Sequence, residues 1–269
     1  MSPKAQRVAV TGAGPAGSHR DRCTRKRASL PTIRVIDRRP IIGGTWYAIS
    51  HVVITPLTLS RVYTPHLPPG IPSLPLLLSG KADTAVPIPS SFPSETPKTE
   101  TINSNQLRFS DSAQNEHLHS NITPEIMSFT QEPFPSTLSE RILAEYGPGA
   151  QFRHREVIRE WIEGIFHRGG YDKFVSLSTT VEKAVKHNGE WVLTLRKEGD
   201  GRDYWWQERF DALVVATGHY NVPWLPEVEG IVEYDKRWPG KVVHSKHFRK
   251  GEAYKGKVCT LGTAKGTQS

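Results

Sequence analysis

Six residues near the start of the chain, Gly12-Ala13-Gly14-Pro15-Ala16-Gly17, match G-x-G-x-x-G, and Asp37 follows the last glycine by twenty residues. Gly12 lets the chain turn out of a strand. Gly14 removes a side chain where a pyrophosphate must approach the backbone, and Gly17 lets the following helix pack on a sheet. Amide N–H groups at the helix start would meet the phosphates. A carboxylate at Asp37 accepts hydrogen bonds from ribose hydroxyls and repels a ribose phosphate, which favours FAD or NAD over NADP at this site. The same six letters also describe an ordinary strand-to-loop turn, so the flanking elements decide their weight.

Those elements point to a dinucleotide cradle. Arg7-Val8-Ala9-Val10-Thr11 is a short apolar run of the kind buried in a parallel sheet, and Thr32-Ile33-Arg34-Val35-Ile36 is a second, ending at Asp37. The spacing predicts a βαβ unit. Residues 155–168 carry Val157, Ile158, Trp161, Ile162, Ile165 and Phe166 at helical spacing. Asn188-Gly189 predicts a hairpin leading into Val192-Leu193-Thr194-Leu195. Further strands are expected at residues 212–216 and 257–261. Trp205-Trp206 reads as strand packing, and His117-Leu118-His119 as an exposed loop.

Composition narrows the classes. The 269 residues have a mean hydropathy of −0.47 and no apolar run long enough to span a membrane. The start of the chain shows no secretory leader, so a cytoplasmic location is expected. Two cysteines, Cys23 and Cys259, exclude a disulfide scaffold or a four-thiolate zinc site, and the 11 histidines show no metal-ligand spacing. The net charge is +8, and residues 18–31 supply half of it through Arg20, Arg22, Arg25, Lys26 and Arg27 against Asp21. Elsewhere the charges are interspersed, which argues against a nucleic-acid surface.

Three later segments carry a family resemblance. Asp37-Arg38-Arg39-Pro40-Ile41-Ile42-Gly43-Gly44-Thr45-Trp46 resembles the E-R-x-x-x-x-G-G-x-W segment of flavin-containing monooxygenases. Ala216-Thr217-Gly218-His219-Tyr220-Asn221-Val222-Pro223 resembles that family's A-T-G-x-Y-x-x-P linker. The stretch from Trp238 through Gly240 and His244 to Phe248 resembles its F-x-G-x-x-x-H-x-x-x-[FY] fingerprint, with Trp in the first slot. Ser120-Asn121-Ile122-Thr123-Pro124 and Phe129-Thr130-Gln131-Glu132-Pro133-Phe134-Pro135 are similar to T-N-I-P and F-x-D-x-P-F-P. The flavour is fungal.

The resemblance implies an α/β fold: a Rossmann-like FAD-binding domain with a parallel sheet plus an antiparallel β meander, and an incomplete second dinucleotide-binding domain. It implies that Gly12, Ala13, Gly14, Pro15, Ala16 and Gly17 line the FAD pyrophosphate and that Asp37 binds the adenosine ribose. Arg38, Gly44, Thr45, Trp46, Thr217 and Gly218 join the cofactor-binding set. Ser120, Asn121 and Ile122 would sit by the isoalloxazine and nicotinamide, with Asn121 the catalytic candidate through its amide. The implied cofactors are FAD and NADPH. The implied activity is that of an N,N-dimethylaniline-type monooxygenase, in which a flavin hydroperoxide passes one oxygen of O2 to a small amine or sulfur nucleophile. The fingerprint ends in Phe248, where Baeyer–Villiger enzymes carry Trp. His244 is expected to be structural.

The chain also departs from the pattern. Residues 18–31, where the first Rossmann helix belongs, carry five basic side chains and little apolar area, as if read in a wrong frame. Residues 47–62 look like an insertion of retained intron origin. The second glycine motif, counted from Gly262, has Ala264 and Thr267 in glycine slots and ends at Ser269. The expected division is therefore 1–46 for the first βαβ, 47–105 for a Pro/Ser-rich insertion or loop holding ten prolines between residues 56 and 97, 106–230 for the rest of the FAD domain, and 231–269 for the start of a truncated NADPH domain. Two rival readings stay open: a non-catalytic flavoprotein fragment, and a basic nucleotide- or nucleic-acid-binding module. Flavin absorbance of the purified chain separates the monooxygenase from a poorly folded fragment or a basic module, and NADPH oxidation with a thioether or amine separates it from an inert flavoprotein.

Overall fold

The computed structural model describes residues 5–18, 32–46, 86–98, 112–115, 117–130, 132–221, 223, 225–226, 228–249 and 251–259. Cys23, the helix expected across residues 18–31 (Ser18 excepted), the stretch 47–62 and the glycine motif from Gly262 lie outside them. The chain divides into two compact units, one of residues 1–47, 86–99 and 117–219 and the other of residues 48–85, 100–116 and 220–269.

The first unit is α/β. Strands β1 (Arg7–Thr11), β2 (Thr32–Ile36), β4 (Val175–Ser176) and β8 (Ala212–Val215) form a parallel sheet in the order β4-β2-β1-β8. Strands β3 (Ser94–Pro97), β5 (Thr179–His187), β6 (Glu190–Glu198) and β7 (Arg202–Phe210) form an antiparallel sheet in the order β3-β7-β6-β5. β1 and β2 fall where their apolar runs predict them. The β5–β6 hairpin turns at Asn188 (φ 49°) and Gly189 (φ 86°), two left-handed residues in a two-residue turn whose twist matches its strands.

Alternation along the parallel strands makes three layers. Val8, Val10 and Val35 face a helix, whereas Ala9 and Ile36 face the antiparallel sheet through Leu193, Leu195 and Phe210. That helix, Arg155–Gly169, buries Ile158, Trp161, Ile162, Ile165 and Phe166. Each such side chain contributes about 1.5–3 kcal/mol by leaving water. His154 caps its start by accepting from Glu156 N–H, and Gly170, left-handed at φ 64°, ends it. Three shorter helices, Pro124–Met127, Glu140–Tyr146 and Ile231–Arg237, are also described. In chain order the four are α1 (Pro124–Met127), α2 (Glu140–Tyr146), α3 (Arg155–Gly169) and α4 (Ile231–Arg237).

Three expectations change. β3 lies in the proline-rich stretch read as loop: it is an exposed edge strand with Pro97 at its last position, where no ladder N–H is needed. His117-Leu118-His119 is not a free loop, because Arg155 N–H donates to Leu118 O at 3.0 Å and His119 bridges His154. Residues 257–259 do not begin a strand. Lys257 N–H turns back to Tyr254 O at 3.0 Å, and Val258 is fully exposed.

In the second unit, α4 precedes the fingerprint stretch. His244 Nδ1 accepts from Lys246 N–H at 3.1 Å and caps a short turn at Ser245–His247. Lys246 is buried and donates to Asn221 O. Burial, followed by the neighbouring charges of Lys246, His244 and Arg249, pushes the His247 imidazole down to about 4. No described helix is long and apolar enough to cross a membrane, and no metal-ligand cluster occurs among the described residues.

Candidate functional site

The glycine turn leaves the end of β1 and enters a helical turn at residues 15–18, where Ser18 N–H donates to Gly14 O at 3.0 Å. Gly12 N–H donates to Ile36 O at 2.8 Å, which ties the turn to the end of β2. Gly12 sits at φ 106°, and a Cβ there would overlap the Ala216 carbonyl oxygen; one on Gly17 would overlap the Gly12 carbonyl oxygen. A Cβ on Gly44 would lie 2.7 Å from the Gly14 Cα. The turn is therefore a bare backbone surface framed by Ala216-Thr217 on one side and Gly43-Gly44 on the other.

Asp37 closes this frame. Its Oδ2 accepts from Ala13 N–H at 2.6 Å and its Oδ1 from Arg39 N–H at 2.8 Å, while the carboxylate is nearly buried. Arg39 in turn donates to the Gly44 carbonyl, and Gly43 N–H donates to Ala13 O at 3.1 Å. Arg159 of α3 lays its stem on Gly43, where a Cβ would lie 2.9 Å from the Arg159 Cγ. Its guanidinium is held by Glu156 and Glu163 at 2.9 and 2.8 Å.

The structure thus assembles Gly12, Ala13, Gly14, Pro15, Ala16, Gly17, Asp37 and Gly44 in one place, with Thr217 beside Gly12. Arg38 lies in the turn between Asp37 and Arg39. Gly44, Thr45 and Trp46 form a short helical turn, and the half-buried Trp46 side chain packs against the cluster around α3. Gly218 is exposed at φ 68°. Ser120 is buried and exchanges hydrogen bonds with Arg153, at 2.8 Å through Ser120 N–H and 3.0 Å through Ser120 Oγ. Asn121 and Ile122 are exposed, and among the described residues Asn121 makes no hydrogen bond.

Two residues of this frame escaped the sequence reading. Arg39 stood inside the quoted motif but carried no signal beyond its charge. Arg159 is on the polar side of α3, where nothing in the spacing marks it. An adenine dinucleotide fits what is present. The turn offers close backbone approach without side chains, the first helical turn has amide N–H groups without intrahelical partners, and each Asp37 oxygen keeps a second lone pair for a ribose hydroxyl.

Comparison with known proteins agrees with this geometry. A family model described as flavin-binding monooxygenase-like matches residues 112–267. The flavin-containing monooxygenase ustF1 of Aspergillus flavus is 38% identical over 114 residues, covering 39% of this chain and 28% of that protein. A flavin-containing monooxygenase of Amanita muscaria, iboF, is 26% identical over 285 aligned positions, covering 96% of this chain and 48% of its own length. Among solved structures, S-allyl-L-cysteine S-oxygenase from Allium sativum superposes with a TM-score of 0.59 at 25% identity, over 92% of this chain and 43% of that one. The chain spans at most about half the length of the curated relatives it matches. With a family match that covers more than half of its residues and a glycine turn, acidic tie and two-sheet fold in agreement, the chain belongs to the flavin-binding monooxygenase-like family.

Proposed function

We propose that this chain holds the FAD of a monooxygenase that oxygenates small amines or sulfur compounds at the expense of NADPH and dioxygen. FAD and NADPH are the cofactors of the family. When bound, the flavin supplies the redox chemistry that passes electrons from NADPH to dioxygen and one oxygen atom to the nucleophile. The protein's residues bind and orient. Gly12, Gly14 and Gly17 keep the turn bare for the pyrophosphate, and Ala13, Pro15 and Ala16 shape it. Asp37 fixes that turn through Ala13 N–H and presents its remaining lone pairs to the ribose. Gly44 and Thr45, steadied by Arg39 and Arg159, close the far side, with Arg38, Thr217 and Gly218 at the edges.

Asn121 is assigned to the reacting end. Its exposed amide Nδ2 has donors to spare for the ring system, and Ser120 anchors it to Arg153. A hydrogen bond from that amide would help hold the nicotinamide over the flavin, so that the bound cofactor excludes water from the reacting face.

The carrying observation is the Ala13 N–H to Asp37 Oδ2 bond, which joins the glycine turn to the acid at the end of β2. The purified chain should take up one FAD, shown by flavin absorbance. A colourless chain that stays colourless with added FAD overturns the reading. With FAD bound, NADPH consumption that rises with N,N-dimethylaniline or a thioether supports the N- or S-oxygenation, and none on either substrate removes it. Asn121→Ala is expected to raise the hydrogen peroxide released from dioxygen per NADPH oxidised.

A further inference from the structure

The first unit has a second concave feature. A cavity of about 400 Å³ is lined by His119, Ile142, Tyr146, Ala150, Gln151 and Phe152, within the size range of small-molecule sites. Ile142 and Tyr146 stand four residues apart on α2, so they share one helix face. Ile142 is fully buried and forms the floor, whereas Tyr146 and Phe152 are 63% and 46% exposed and flank the opening.

The pocket is built, not a crevice between loose loops. Ser139 Oγ caps α2 by accepting from Ile142 N–H at 3.3 Å. The far wall, residues 150–152, is pinned from behind by the buried Arg153, whose NH1 donates to the Ala150 carbonyl at 3.0 Å and the Gln151 carbonyl at 3.3 Å. Its Nε donates to Pro135 O at 3.3 Å. His119 is held by its bridge to His154 and by the edge-on contact of their rings at 5.2 Å. A wall fixed in this way costs little ordering when a ligand arrives.

Its chemistry is uncharged and aromatic. Burial and the neighbouring His154 lower the His119 pKa, so its imidazole is neutral at physiological pH, and the other five lining residues carry no charge. The nearby Arg141 and Glu145 pair with each other at 3.7 Å. The His119 and Tyr146 rings meet edge-on, 6.3 Å apart at 78°, an arrangement in which a third ring stacks on one and meets the edge of the other. The Tyr146 hydroxyl donates to Glu145 Oε1 at 2.9 Å, so its oxygen is oriented to accept.

We propose that this pocket binds a small, uncharged aromatic molecule that carries one hydroxyl or N–H group, its ring between His119, Tyr146 and Phe152 and its polar hydrogen on the Tyr146 oxygen. The proposal does not depend on the flavin reading.

Benzyl alcohol is the probe, titrated into the full chain by ligand-observed NMR, with benzoate as its charged counterpart. Benzyl alcohol is expected to bind at least tenfold more tightly than benzoate. Ala150→Trp, which fills the cavity, is expected to weaken it at least tenfold. Tyr146→Ala, at a largely exposed position where folding is not at stake, is expected to weaken it several-fold. No binding to the unsubstituted chain, equal affinity for benzoate, or affinity unchanged in Tyr146→Ala overturns the proposal.

Discussion

The Asp37 carboxylate accepts the Ala13 backbone N–H at 2.6 Å, which makes the acid at the end of β2 part of the glycine turn as well as its neighbour. Because Asp37 is nearly buried and also takes the Arg39 N–H, its loss strands two backbone donors. Asp37→Ala is expected to cost about 1–3 kcal/mol per donor left unpaired, seen as a lower melting temperature without added cofactor. FAD retained per chain should fall with it, and a variant that keeps both stability and flavin would show that the tie is dispensable.

Gly12 and Gly201 make a matched pair. Both have positive φ, 106° and 77°, but only at Gly12 does a Cβ run into backbone, whereas Gly201 has open space. Gly201→Ala is expected to cost about 1 kcal/mol, the conformational penalty alone. Gly12→Ala must also displace the start of the A-T-G segment at Ala216, so its loss should exceed that of Gly201→Ala by about 2 kcal/mol or more. Urea denaturation of the two variants checks the difference.

Arg196 is the cation of a buried cluster in the antiparallel sheet. It donates from Nε to Glu182 Oε1 at 2.9 Å and from NH1 to Asp203 Oδ2 at 3.1 Å, and all three side chains are essentially inaccessible. A bulge between Val181 and Lys183 takes Glu182 out of register with β6. Arg196→Met removes the guanidinium that both buried carboxylates accept from and should destabilise the chain by about 3–5 kcal/mol. The triple change Arg196→Met, Glu182→Leu and Asp203→Leu should recover most of that loss in the same denaturation experiment.

Two groups set opposite ends of the acid response. Asp211 is lowered to about 2 by the Arg7 side chain and by the Arg7 and Gln6 N–H groups. Its stabilisation is present above its ordinary pKa of 3.8 and is lost as pH falls through 4 toward 2. His247, lowered to about 4 from 6.5, resists protonation in the folded chain, so the unfolded chain takes up the proton first and stability falls between pH 6.5 and 4. Melting temperatures against pH should flatten between 6.5 and 4 in His247→Asn, and below 4 in Asp211→Asn.

Much of the frame is legible in the letters. β1 and β2 are short continuous apolar runs between turn residues, and α3 repeats its large side chains every three or four positions, so local periodicity alone marks them. The Asn188-Gly189 turn is equally plain. β3 is not, since Ser94-Glu95-Thr96-Pro97 has no apolar alternation and is a strand only because β7 supplies its partner. Residues 257–259 show the reverse: apolar enough to read as a strand, they lie in no described sheet.

The order of glycines, the acid after β2 and the helix pattern are properties of neighbouring residues, and they determined β1, β2, α3 and the place where the glycine turn meets the acid. Where side chains from distant segments meet is decided by packing. Tertiary structure alone set Arg159 on Gly43, committed both Asp37 oxygens to backbone N–H groups, laid Trp46 against the cluster around α3, and brought His119 beside Tyr146 and Phe152. Such contacts depend on which faces of β1, α2 and α3 are brought together when apolar surface leaves water, and no local spacing encodes that choice.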